Sequence, residues 1–75
     1  MPRYAHSVRT AGPFVVITNK KTEVNRYINP EQVVSFEERT EDTILLALSN
    51  GELLQLNEVS LNDLFYRITE ARRFQ

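Results

Sequence analysis

The chain is 75 residues long, with no cysteine, one histidine, 41% hydrophobic and 25% charged residues and a formal net charge of −1. That composition excludes disulfides, argues against a structural zinc site, and leaves room for one globular domain and no more. No apolar run approaches the roughly 18–20 residues of a membrane span, and the start of the chain lacks the apolar core of a secretory signal, so the expectation is a soluble, cytoplasmic protein.

Residues 1–12 show no apolar period and scatter Pro2, Ser7, Thr10 and Gly12 among basic groups, which predicts a flexible basic arm ahead of a single domain over residues 13–75. Pro13 to Thr18 is rich in β-branched and aromatic residues and is the first predicted strand, with Phe14 and Val16 on one face and Val15 and Ile17 on the other. Asn19 to Thr22 reads as a polar turn, and Val24 to Asn29 as a second strand antiparallel to the first. Asn29-Pro30-Glu31-Gln32 predicts one tight or 3₁₀-like turn, because asparagine caps turns and proline presets φ. Gln32 to Glu38 is the third strand, and Arg39 to Asp42 a charged connection of hairpin length. Thr43 to Ser49 is the fourth and most apolar strand, and Glu52 to Asn57 the fifth. Between them Asn50-Gly51 predicts a two-residue type I′ turn, since both residues tolerate positive φ.

That turn sets a predicted register. Ser49 opposes Glu52, Ala47 opposes Leu54 and Leu45 opposes Leu56 on one face, with Ile44, Leu46, Leu48, Leu53 and Gln55 on the other. Both faces are then apolar, and a single helix covers only one. Ile44, Leu46, Leu48 and Leu53 therefore form a candidate self-association surface, with a C2 homodimer as the expected assembly. A chain this small, with no disulfide or zinc available, gains most from such an assembly.

Ser60 to Arg73 is the predicted helix. Ser60 is a good N-cap, Asp63 and Arg72 complement the helix dipole, and Leu61, Leu64, Phe65 and Ile68 form one apolar stripe. Phe74 is expected to fold back onto the core. Tyr66, Arg67 and Arg73 fall outside the stripe and form a candidate protein-binding surface, as tyrosine and arginine are enriched at binding hot spots. The predicted fold is α+β, an antiparallel meander of four to five strands with one C-terminal helix packed on one face.

Charge is unevenly spread. Residues 1–27 carry five basic side chains against one acid, Glu23, whereas residues 28–75 carry four against nine. Arg3, Arg9, Lys20, Lys21 and Arg26 are thus candidate nucleic-acid contacts, with Tyr4 and Tyr27 as interleaved aromatics. The competing reading is a solvated tail and a hairpin tip whose lysines guard an edge strand. Glu37, Glu38, Glu41 and Asp42 form the densest acidic cluster, but they straddle a hairpin loop without calcium-loop spacing. His6 sits in the predicted arm without a fixed partner. No nucleophile elbow, phosphate loop or dinucleotide fingerprint is present, so no catalytic, metal or cofactor residue is assigned and no enzyme activity is expected.

The run Asn29-Pro30-Glu31-Gln32-Val33, with Phe36-Glu37, Asp42-Thr43, Asn50-Gly51 and Glu58, resembles the small FlbD-type family of flagellar and swarming-motility proteins. That family reads Asn-Pro-x-x-Ile, Ile-Glu, Asp-Thr, Asn-Gly and Glu-Ser along a chain of strands ending in a helix. The resemblance spans Phe14 to Ile68 and implies the same fold. Val59 separates Glu58 from Ser60, Asn19-Lys20-Lys21 replaces an Asn-Gly turn, and the N-terminal arm has no counterpart. A looser likeness joins the sheet and helix to part of LytTR-type DNA-binding domains. The expected function is a small binding or regulatory protein of a bacterium or its phage, acting by protein–protein contact as a homodimer, with no role in a membrane. The alternative is a nucleic-acid-binding regulator.

Overall fold

The computed structural model describes residues 5–74 as six strands, one 3₁₀ turn and one α-helix. Strands β1 (His6–Ala11), β2 (Phe14–Asn19) and β3 (Asn25–Ile28) form one antiparallel sheet, in that order. Strands β4 (Val33–Thr40), β5 (Thr43–Leu48) and β6 (Leu53–Asn57) form a second, and helix α1 (Leu61–Arg72) follows. The class is α+β with a C-terminal helix, as the sequence predicts. The single sheet of four to five strands is replaced by two sheets of three strands each.

Two local features account for that difference. After β3 the Asn29 side chain accepts the Glu31 N–H at 3.0 Å, and Pro30 opens the 3₁₀ turn Pro30–Gln32. Proline lacks an N–H and presets φ, so the ladder stops there and the second meander starts afresh. At the other end, Gly12 has φ +57 and pairs with Pro13 in a two-residue turn that sets Ala11 opposite Phe14 and His6 opposite Asn19. Positive φ at the first turn position matches the twist of a hairpin. Residues 6–11 are therefore a strand and not a flexible arm; residues 1–4 of the predicted arm lie outside the described residues. The strand is faint in the sequence because Val8 is its one buried residue.

The β5–β6 register differs by one residue. Leu48 N–H donates to the Glu52 carbonyl at 2.9 Å, and Gly51 N–H to the Leu48 carbonyl at 3.0 Å. The loop is thus three residues long, Ser49-Asn50-Gly51, a turn closed by glycine at φ +89, while Asn50 stays at negative φ. This is the second hairpin solution open to such a sequence, and it adds one residue to the loop. Leu46 now pairs with Leu54, Ile44 with Leu56 and Ala47 with Leu53. In a strand of period two, a slip of one residue moves every side chain of β6 to the other face. Ile44, Leu46 and Leu48 therefore share the inner face with Leu54 and Leu56, and the outer face carries Leu45, Ala47, Leu53 and Gln55.

The core is built by both sheets and the helix together. Val15, Ile17 and Ile28 from the first sheet meet Ile44, Leu46 and Leu56 from the second. Helix α1 adds Leu64, Ile68 and Ala71, and lies chiefly against β1 and β2, not against the hairpin that precedes it in sequence. The connection makes this crossing: Glu58 takes φ +58, its N–H donates to the Asp42 carbonyl at 2.7 Å, and Val59 is buried. Ser60 then caps the helix by accepting the Asp63 N–H at 3.1 Å. Phe65 lies at the rim of the apolar stripe, 6.5 Å from the Phe36 ring, and Phe74 stays exposed and does not fold back.

Candidate interaction surfaces

The outer face of the first sheet follows from strand alternation. Val15, Ile17 and Ile28 point into the core, so Phe14, Val16 and Tyr27 point away from it. Arg9, Val16 and Tyr27 stand in one cross-strand row. Val16 is fully buried although it belongs to this outer face. Beside it Phe14 is 40% and Tyr27 57% exposed, and their rings meet edge to face at 6.4 Å with an interplanar angle of 83°. Strands β1, β2 and β3 contain no acidic residue. The face thus combines two ordered aromatic rings and a guanidinium without a neutralising carboxylate on its strands. Sequence reasoning missed this surface because it took residues 1–12 as an arm. The Gly12-Pro13 pair, a two-residue turn ahead of the first apolar run, is the signal that pairs Arg9 with Val16.

The nucleic-acid candidates separate in space. Arg9 is on this outer face, and Lys20 and Lys21 are exposed at the β2–β3 turn. Arg26 points to the inner side and makes an ion pair with Glu52, tying the first sheet to the β5–β6 turn. The hydrogen bond from Arg26 holds the Glu52 carboxyl below its ordinary range. Arg3 and Tyr4 lie outside the described residues.

The candidate self-association set does not form a surface. Ile44 and Leu46 are each 1% exposed and Leu48 is buried, whereas Leu53 is 61% exposed on the opposite side of the sheet. The register slip is the cause: Leu53 pairs with Ala47 and leaves the face it was expected to share. Of the helix candidates, Tyr66 and Arg67 do come together, with the guanidinium 5.4 Å from the ring centroid. Both side chains make polar contacts within the helix. Arg67 pairs with Asp63 at 3.7 Å and Glu70 at 3.4 Å, and the Tyr66 hydroxyl donates to Glu70 at 3.3 Å. Arg73 caps the helix end and is exposed.

His6 has a fixed partner after all. Its Nδ1 accepts the Asn57 N–H at 3.0 Å, which links β1 to β6. The ring borders a cleft of about 320 Å³ between the sheets, walled by Ile17, Leu54 and Leu56. Burial holds the imidazole below its ordinary pKa of 6.5, in keeping with an accepting, neutral ring. Among the described residues no group of three His, Asp or Glu side chains is placed to hold a metal ion, and no helix is long and apolar enough to cross a membrane. No family model, curated protein or solved structure matches the chain.

Proposed function

We propose that this chain is a small, non-catalytic binding module that docks a protein partner on the outer face of its first sheet. The Phe14–Tyr27 pair, part-exposed beside Val16 and flanked by Arg9, carries the reading. Aromatic rings and arginine supply a large share of the energy at protein interfaces, and rings already held by their neighbours lose little freedom on docking. The absence of acids on the three strands, with Lys20 and Lys21 at the tip, favours an acidic partner surface. The FlbD-type resemblance agrees with a cytoplasmic regulatory protein of a bacterium or phage.

A second reading rests on the same cations. Phe14 and Tyr27 beside Arg9, Lys20 and Lys21 also suit stacked bases and phosphates of a single strand. The test compares the wild-type chain with a Phe14→Ala, Tyr27→Ala double variant in capture from host lysate, with and without nuclease. The protein reading expects nuclease-resistant capture that falls about tenfold or more in the variant, the scale of a single hot spot. Nuclease-sensitive capture, with oligonucleotide affinity that drops as salt rises, would move the assignment to nucleic acid. Equal capture by the variant would remove this face from either role.

A further inference from the structure

A strand at the edge of a sheet is a template for another strand. Two three-stranded sheets have four edges, and three of them here are less open than the fourth. β1 lies along α1. β4 has register irregularities between Val33 and Ser35 and between Glu38 and Thr40, and carries Glu37, Glu38 and Arg39; bulges and charges blunt an edge. β6 gives the N–H of Asn57 to His6. β3 keeps a regular register with β2 and has no backbone hydrogen bond on its far side among the described residues.

The bonding pattern says which groups β3 offers. Asn19 N–H donates to the Val24 carbonyl at 3.1 Å, so residues 19 and 24 are a hydrogen-bonded pair. Alternation then makes Ile17–Arg26 and Val15–Ile28 hydrogen-bonded pairs as well. Arg26 and Ile28 therefore turn their backbone groups toward β2, and Asn25 and Tyr27 turn theirs outward.

A second β3, running antiparallel about a two-fold axis, can centre on Ile28, where it would need the Asn29 carbonyl that already accepts the Gln32 N–H, or pair in three other registers. One centred on Asn25 runs into the turn at Glu23, where φ is +60. One centred on Arg26 opposes two guanidinium groups at the closest cross-strand spacing, which is unfavourable. One centred on Tyr27 sets each Tyr27 against its copy, with both N–H···O bonds exchanged, and places Arg26 opposite Ile28. The last register also brings the Phe14–Tyr27 pair of each copy together as one aromatic cluster on the joined outer face. It runs the Lys20–Lys21 tip of each copy toward the 3₁₀ turn of the other, where Glu31 is exposed. Cross-strand aromatic pairs and opposite charges both favour it.

We infer that two copies of this chain pair edge to edge through β3, centred on Tyr27, and join their first sheets into one continuous sheet. The pairing uses the edge and not the face, so it stands independently of what docks on that face, while doubling the docking area. The chain has no cysteine, so Tyr27→Cys introduces a single thiol. In this register the two copies of residue 27 lie at a Cα separation of about 5.5 Å, within disulfide reach. Residue 25 is about 14 Å from its copy, out of reach. Oxidation of the folded chain at low micromolar concentration should link Tyr27→Cys into a dimer and leave Asn25→Cys unlinked. Sedimentation should show a wild-type dimer that Tyr27→Lys, with an unchanged circular dichroism spectrum, weakens by about tenfold or more, the scale of about 1.4 kcal/mol. A wild-type monomer at the highest soluble concentration, equal linking at both positions, or a Tyr27→Lys dimer of wild-type strength would overturn the inference. Phe14→Ala should keep the dimer while weakening docking, so the two readings fail separately.

Discussion

His6 shows how one side chain can tie two sheets together. Its Nδ1 accepts the Asn57 N–H, a role open to the neutral ring with its proton on Nε2. Because burial lowers its pKa in the folded chain, the unfolded chain takes up the proton first on acidification. The contribution is therefore complete above about pH 6.5 and is lost as pH falls from there through the lowered folded value. Urea midpoints measured from neutral to mildly acidic pH should fall over that window, and His6→Ala, less stable at neutral pH, should flatten this part of the profile. A second residue-scale prediction concerns Glu23, held at φ +60 in the β2–β3 turn. A side chain there costs about 1–2 kcal/mol, and glycine removes the clash while adding back about 0.5–1 kcal/mol of chain entropy. Glu23→Gly should therefore stabilise the fold by about 0.5–1 kcal/mol in equilibrium denaturation.

At the scale of the element, the β5–β6 hairpin decides where the apolar residues go. Both strands, their limits to within a residue or two, and the turn between them are legible in the sequence. The register is not, because Asn50-Gly51 fits a two-residue and a three-residue loop, and the two differ by one position. With the three-residue loop, Leu56 is buried at 1% exposure and Leu53 is left outside. Leu56→Ala should cost about 2–5 kcal/mol, whereas Leu53→Ala should stay within about 0.5 kcal/mol. Similar costs at the two positions would contradict a three-residue loop. The helix, in contrast, is legible almost to the residue, since its cap, its charges and its stripe all lie within one short segment.

For the whole molecule, the two sheets and the helix close around one core, and the charges end up divided between them. The first sheet keeps Arg9, Lys20 and Lys21, while most acids sit on the second sheet, its turns and the helix. The charge split is legible in the sequence; the diversion of Arg26 to Glu52 across the two sheets is not. Self-association is also a whole-molecule property. If β3 edges pair, the thermal midpoint should rise with protein concentration, because dimerisation stabilises the folded state by mass action. Tyr27→Lys should show that dependence only at about tenfold or more higher concentration. Of the candidate surface named from the sequence, Ile44, Leu46 and Leu48 are core and Leu53 is exposed on the other side of the sheet; the candidate that replaces it is an edge.

By itself the sequence determines the local elements of this protein: strands from runs of β-branched residues, the 3₁₀ turn from Asn29-Pro30, the helix from Ser60 and its stripe. These depend on neighbours within a few positions, and short-range sterics and hydrogen bonds settle them. The tertiary structure alone decides that residues 6–11 are a strand, that the helix crosses to the first sheet, and which face of β6 is buried. Each of those depends on partners far along the chain, where hydrophobic burial selects among pairings that are locally equivalent.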